Sequence, residues 1–465
     1  MAYYGRAYVK DAIGDRHGAI ADYTRALEFN PKDSHAYINR GYAKDATGDR
    51  DGAIADYSKA LEMDPKDSET FYVRGNAKQA KGDLDGAIVD YTQAIEINPK
   101  NSEAFYNRGE ARNEKGELDA AMADFIRVIE INPKTSEAYY GLGYVKQAKG
   151  DLDGAIADYT RAIEINPKLR EAYVSRGIAK KAKRDLDGAI AGYTRAIEIN
   201  PNDSKAYYNR GNAKQARGDL DGAIADYTRV IEINPKKSNA YNKRGLAKQA
   251  KGDLDGAIAD YTHAIKINPK LSNSYNKRGY AKQAKGDLDG AIADYNRAIG
   301  IYPKLSEAYY GLAECNYRKA NWNDAVSDYR SIIELTKKGS DQDYSQLFIW
   351  IIRNRTGEGQ AADKELTERL AKGWNAAPND WLSKVAGHLL GTVTEAELIA
   401  AAYSPEARKK NGQVCEAWYY AGMKKLLAGD KKAATEDFRK CLDTKQNDFT
   451  EFKFAQAELK ALGVP

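Results

Sequence analysis

The chain has 465 residues, 30% of them charged, and a net charge of +5. That charge is spread along the sequence without a basic block, which argues against a nucleic acid as partner. No run of about 18 apolar residues occurs, so no segment reads as a membrane-spanning helix.

From its first residues the sequence repeats. Pro31, Pro65, Pro99, Pro133, Pro167, Pro201, Pro235, Pro269 and Pro303 stand 34 residues apart. A fixed period of this length marks stacked supersecondary units, so a count of repeats replaces the prior of about three domains. Met1 is followed by Ala2-Tyr3-Tyr4, already inside a helical pattern, with no signal peptide, lipidation cysteine or polar cap before it. We expect either a trimmed precursor or a start inside the array. The unit is cleanest at Lys205–Ser238. Tyr207, Gly211 and Ala216 recur at helical spacing before Gly218-Asp219, and Ala223, Ile224, Tyr227 and Ile231 after it. Gly218 suits a left-handed helix stop, Asp219 or Asp221 can cap the next helix, and Asn234-Pro235 ends it. Each unit therefore reads helix, turn, helix, turn.

These units resemble tetratricopeptide repeats. The first aromatic of the pattern is Tyr3, Tyr37, Phe71, Phe105, Tyr139, Tyr173, Tyr207, Tyr241, Tyr275 and Tyr309. The small residue after it is glycine from Gly41 to Gly279, with Ala7 and Ala313 at the ends, and its partner on the second helix is alanine from Ala19 to Ala325. The resemblance implies an all-α, right-handed superhelical solenoid of helix hairpins and a role in binding other polypeptides. Two departures recur. Arginine replaces the usual leucine at Arg6, Arg40, Arg74, Arg108, Arg176, Arg210, Arg244 and Arg278, and Lys or Arg follows four residues later. Second helices supply Asp22, Asp56, Asp90, Asp124, Asp158, Asp226, Asp260 and Asp294 alongside. A partly buried arginine needs a carboxylate, so an Arg–Asp ladder between helices is expected in preference to an anion site.

Nine close copies run to about Leu305. The tenth, Ser306–Gly339, decays: Asn321-Trp322 replaces the turn and Lys337 stands where proline belongs. Residues 1–339 are thus read as an array of ten units and 340–465 as a C-terminal helical domain. The latter reads as helices at Asp343–Asn354 and Ala361–Ala371, a turn at Pro378, and a short pair at Asp380–Leu390 and Thr394–Tyr403. An eleventh repeat follows at 416–446, and a capping helix at 449–462.

Leu389-Leu390-Gly391, Thr394-Glu395-Ala396-Glu397-Leu398, Cys415 to Gly422, Asp448 to Phe452 and Ala457-Glu458-Leu459 are similar to the C-terminal half of the bacterial new-lipoprotein-I family. That resemblance covers roughly 120 residues and implies a periplasmic or cell-envelope adaptor docking hydrolases or a protease. The long array and the absent lipoprotein start depart from it, and a cytoplasmic location stays open.

Nothing in the sequence reads as catalytic. His17, His35, His263 and His388 are too dispersed for a metal or a triad, no glycine loop cradles phosphate, and no cofactor is implied. Cys415 and Cys441 fall at helix ends that antiparallel packing would join, so either a disulfide or two buried thiols is expected, with Cys315 single. Binding is expected on the concave face, where first-helix residues vary: Asn39, Tyr72, Asn76, Tyr106, Asn107, Tyr140, Tyr208, Asn209, Asn212, Asn242, Lys243, Asn276 and Lys277. Tyrosine offers rigid area with a polar tip and asparagine pairs with amides, though the same tyrosines could serve packing between repeats. A clamp for a C-terminal carboxylate would match at Asn76 and Asn107, but Tyr72, Glu137 and Gly141 stand where cations are needed. Lys243 and Lys277 favour an acidic or extended partner. The expected function is a non-catalytic scaffold for a protein or extended peptide. The alternatives are a regulatory arm of an enzyme whose catalytic domain lies outside this chain, and self-association through the uncapped first repeat.

Overall fold

The structure is a computed structural model that describes residues 2–336, 340–371, 381–403, 412–447 and 449–464. Every regular element among these is an α-helix, as the sequence pattern requires. The chain falls into two compact units, Met1–Ile233 and Asn234–Pro465.

The first unit holds seven hairpins. They are α1 (Ala2–Ala12) with α2 (Arg16–Phe29), α3 (Ser34–Ala46) with α4 (Arg50–Met63), and α5 (Ser68–Lys81) with α6 (Leu84–Ile97). Next come α7 (Ser102–Glu114) with α8 (Leu118–Ile131), α9 (Ser136–Ala148) with α10 (Leu152–Ile165), α11 (Arg170–Ala182) with α12 (Leu186–Ile199), and α13 (Ser204–Ala216) with α14 (Leu220–Ile233). The second unit begins with three more: α15 (Ser238–Ala250) with α16 (Leu254–Ile267), α17 (Ser272–Ala284) with α18 (Leu288–Ile301), and α19 (Ser306–Arg318) with α20 (Trp322–Leu335).

Local chemistry sets each boundary. At the tight turn, Gly82 takes φ +90°, and the Asp83 carboxylate accepts from Gly86 N at 2.9 Å to open α6. Of the two candidate caps in the sequence, the first aspartate does this work; in the clean repeat Asp219 accepts from Gly222 N at 2.9 Å. At the proline turn Asn98 is extended and its side chain accepts from Lys100 N at 3.1 Å. Within a hairpin the small first-helix residue lies under a second-helix ring. A Cβ on Gly41 would stand 2.5 Å from Tyr57 Cε1. The ring row Tyr23, Tyr57, Tyr91, Phe125, Tyr159, Tyr193 and Tyr227 is fully buried and forms the core of the first unit with Ala19, Ala53 and their equivalents. Exposed bridges tie consecutive repeats, as in Arg217–Asp187 at 2.7 Å, each contributing about 0.5 kcal/mol or less.

The second unit continues with α21 (Ser340–Arg355), α22 (Gly359–Ala371), α23 (Trp381–Leu390), α24 (Glu395–Ala402), α25 (Gln413–Leu427), α26 (Lys431–Asp443) and α27 (Thr450–Ala461). Helices therefore lie where the hydrophobic periodicity placed them, and Thr394 and Glu397 form the expected reciprocal cap of α24. Pro378, Asp380, Lys337 and Asp448 lie outside the described residues. The decayed turn of the tenth repeat keeps its left-handed geometry on Ala320, at φ +58°. Its helices α19 and α20 share one apolar core with α21–α27. There Tyr317 stacks on Phe454 with centroids 3.9 Å apart, and its hydroxyl donates to Glu458 at 3.0 Å. Arg355 meets the same carboxylate at 2.9 Å.

Candidate functional site

Two kinds of polar feature are built into the repeats, one between the helices of a hairpin and one along the odd-numbered helices. The first is the expected ladder. Arg6–Asp22, Arg40–Asp56, Arg74–Asp90, Arg108–Asp124, Arg210–Asp226, Arg244–Asp260 and Arg278–Asp294 pair at 2.6–2.7 Å through Nη2. The cation four residues on joins the other carboxylate oxygen, as Lys44 does on Asp56 at 2.8 Å. The remaining guanidinium nitrogen reaches a hydroxyl of the preceding repeat, Arg40 to Thr24 and Arg108 to Thr92 each at 3.0 Å. One arginine thus links three helices. Buried pairs of this kind fix register more than they add stability over an apolar substitute.

The ladder is broken in three places. Leu142 leaves Asp158 with Lys146 alone at 2.7 Å, and burial raises the carboxyl's pKa. Leu312 and Asn316 leave Asp328 with a single amide donor at 2.9 Å, and burial pushes it up to about 6. In α12 the aspartate itself is missing: Gly192 stands in its place, and burial pulls the Arg176 guanidinium down from its ordinary value.

The second feature is a face. Odd-numbered helices touch the next odd-numbered helix at α1–α3, α5–α7, α7–α9, α9–α11 and α11–α13, and at α15–α17 and α17–α19 in the second unit. They therefore line the tighter side of each stack. All thirteen residues nominated from the sequence sit on these helices and are half-buried. In the first unit many already have partners. Asn39 Nδ2 donates to Tyr4 Oη at 2.8 Å, and Asn107 Nδ2 donates to Asn76 Oδ1 at 2.8 Å and Tyr72 Oη at 3.3 Å. The two asparagines that would match a carboxylate clamp hold each other instead. Asn212 accepts from Tyr227 at 3.0 Å. Tyr72, Tyr106, Tyr140 and Tyr208 lean on the buried rings of Tyr91, Phe125, Tyr159 and Tyr227, centroids 5.6–6.1 Å apart. Each of these ring pairs lies within one hairpin, and they leave a surface of ring edges and amides, Asn209 among them.

In the second unit the face is less occupied by itself. The Asn242 side-chain oxygen is buried without a hydrogen-bond partner among the described residues. Lys243 and Lys277 make no ion pair among the described residues, and burial first, then the neighbouring Lys243 charge, lowers the Lys277 pKa. Asn276 and Lys277 line a cavity of about 470 Å³ with Leu246, Tyr280, Glu307, Tyr310, Glu314 and Asp341. Its walls carry a cation and carboxylates, which suits a polar chain better than a lipid or an aromatic cofactor. Tyr280, Glu307, Glu314 and Asp341 were not nominated from the sequence. The first and third lie in a variable row of the first helix, which was the available signal; Asp341 comes from α21 and gave none.

Cys415 and Cys441 are buried thiols with their sulfurs 2.8 Å apart, and Cys315 is buried alone, its thiol pushed up to about 12 by burial. Among the described residues no three His, Cys, Asp or Glu side chains gather as a metal would need, and no helix is long and apolar enough to cross a membrane. His388 is buried, with Nδ1 3.1 Å from the Val393 carbonyl oxygen.

Comparison with known proteins agrees with this architecture. Models of the TPR repeat match residues 75–114, 109–150, 181–218 and 249–286. Tetratricopeptide repeat models match 136–169 and 204–237, 2–33 and 34–67, and 276–340. A search of curated proteins gives no match. Among solved structures, the chain is similar to YrrB, described as a TPR protein with an unusual peptide-binding site: 24% identity over 40% of this chain and 95% of that one, TM-score 0.36. It is similar to MamA at 33% identity, covering 36% and 96%, TM-score 0.34. A tetratricopeptide repeat protein from Parabacteroides merdae has 23% identity, covering 53% and 98%, TM-score 0.41. With repeat models matched from residue 2 to residue 340 in all but short gaps, the chain belongs to the tetratricopeptide repeat family, whose members are scaffolds for protein interaction.

Proposed function

We propose that this chain is a non-catalytic scaffold that holds an extended polypeptide along its odd-numbered helices, with an acidic segment beside Lys243 and Lys277. The observation that carries this reading is the cavity at Asn276 and Lys277, where the half-buried Lys277 makes no ion pair among the described residues. An extended chain brings amide groups for asparagines and a carboxylate for the lysines, so both needs are met by one ligand. In this reading residues 1–339 act as the binding array, and the 340–465 region contributes Asp341 to the cavity wall. The test is fluorescence anisotropy with arrayed extended peptides that differ only in acidic content. Acidic members should bind the intact chain and lose about tenfold or more in affinity to Lys243→Glu/Lys277→Glu. Equal binding of neutral and acidic peptides, or no effect of the reversal, would sink the assignment.

An envelope adaptor is the finer form of this reading, resting on the tail resemblance. The pair Cys415 and Cys441 gives it a separate handle, because thiols so placed would close a disulfide in an oxidising compartment. Thiol titration of the unfolded, air-oxidised chain should then find one free cysteine, and three would speak against it. Self-association is a second reading, favoured by Tyr8 and Val9 on α1 and Ile13 in the turn after it, which are 62%, 58% and 76% exposed. A mass constant at that of one chain across a wide concentration range in sedimentation would remove it.

A further inference from the structure

The hairpin α11–α12 keeps both cations of the ladder, Arg176 and Lys180, while Gly192 takes the place of the aspartate they would share. Arg176 is nevertheless positioned like its counterparts. Its Nη1 lies 3.1 Å from Thr160 Oγ1, as Arg210 Nη1 lies 3.0 Å from Thr194 Oγ1. Its guanidinium sits 5.6 Å from the Tyr173 ring centroid, against 5.4 Å for Arg210 over Tyr207. In α13–α14 that placement aims Nε and Nη2 at Asp226, at 2.9 and 2.7 Å. In α11–α12 the residue at the place of that aspartate is Gly192. Arg176 Nε is buried with no hydrogen-bond partner, and among the described residues no carboxylate lies within ion-pair distance of Arg176. Lys180 has turned to Asp185 at 3.2 Å. The three atoms nearest to a Cβ built on the glycine are backbone, led by Tyr173 O at 3.1 Å and Gly177 Cα at 3.6 Å.

What aspartate adds to glycine is a methylene and a carboxylate, which are the heavy atoms of acetate. We infer that Arg176, Lys180 and the bare helix face at Gly192 form a binding site for a small monocarboxylate anion of acetate's size. A planar carboxylate meets the Nε/Nη2 fork with two parallel charge-assisted hydrogen bonds. Lys180 swings back to the second oxygen, as Lys214 does on Asp226 at 3.0 Å. The bound anion then completes the link between α11 and α12 that the neighbouring hairpins make with their own side chains.

Saturation-transfer NMR on the methyl protons of sodium acetate, with the full chain at fixed ionic strength, tests this. Acetate should receive saturation from the wild-type chain and lose about tenfold of it to Gly192→Asp, which fills the site, the factor that about 1.4 kcal/mol of lost binding gives. Arg176→Leu should lose it as well, and leucine is native at the equivalent positions Leu142 and Leu312, so this variant keeps a residue that the repeat accepts. Pivalate, too bulky for the space, should give little signal with any of the three. No acetate signal from the wild-type chain, equal signals from all three chains, or pivalate matching acetate would each overturn the assignment.

Discussion

Two neighbouring hairpins in the first unit differ at a few positions and teach what the repeat needs. In α13–α14, Asp226 holds Arg210 at 2.7 Å and Lys214 at 3.0 Å, and the buried Tyr227 hydroxyl lies within hydrogen-bond reach of the side-chain oxygens of Asn212 at 3.0 Å and Gln215 at 2.9 Å. The tight turn is Gly218 at φ +87°. In α11–α12 each device is undone. Gly192 removes the carboxylate, Ile178 and Lys181 replace the asparagine and the glutamine so that the Tyr193 hydroxyl is buried without a hydrogen-bond partner among the described residues, and Arg184 carries a left-handed φ of 66°. Helix lengths and the full burial of the second-helix ring are nonetheless the same. Apolar packing is therefore sufficient for the hairpin, and the polar links decide how firmly its two helices are registered.

The comparison can be broken or sharpened by substitution. The largest effect should come from Asp226→Ala, which leaves two buried cations facing each other in the intact hairpin. We expect a loss of about 3 kcal/mol or more by denaturant unfolding, whereas an ordinary surface change would move stability far less. Next is the tenth repeat, where the carboxylate stays and the cations are gone. Burial lifts the folded-state pKa of Asp328 to about 6, above an unfolded value of about 3.9. The folded chain thus binds that proton more tightly, so its stabilising contribution is complete below about pH 4 and is lost as the pH rises through about 6. Asp328→Asn should match the wild type at pH 4 and exceed it by about 2 kcal/mol at pH 8, after allowance for partial solvent access. A gain independent of pH would contradict this. The smallest effect is repair: Gly192→Asp should stabilise the chain by about 1–2 kcal/mol, from a restored charge-assisted link and removal of a mid-helix glycine. A loss of stability would mean that Gly192 is there for close packing instead.

The sequence made the repeated features legible because each is written many times. Nine prolines in register define the turns, and seven Arg–Asp pairs follow from one argument about burying a guanidinium. What happens once was harder to see. Gly192 drops out of the aspartate row without disturbing the helical pattern, since neither aspartate nor glycine is one of the apolar residues that set the period. The candidate face falls on the odd-numbered helices, but which of its amides are already paired depends on side-chain directions, and Asn76 with Asn107 is such a case. The cavity at Lys277 was hidden for another reason. Part of its wall, Ile332 and Asp341, comes from α20 and α21, where the repeat has decayed and the period no longer says what lies opposite.

The account stands on odd-numbered helices being the ones that meet a partner. Hydrogen exchange of the intact chain, with and without a saturating acidic peptide chosen by anisotropy, addresses it directly. We predict slower exchange confined mainly to α15, α17 and α19. Protection concentrated on even-numbered helices, or exchange unchanged along the odd-numbered ones while the peptide is bound, would contradict it.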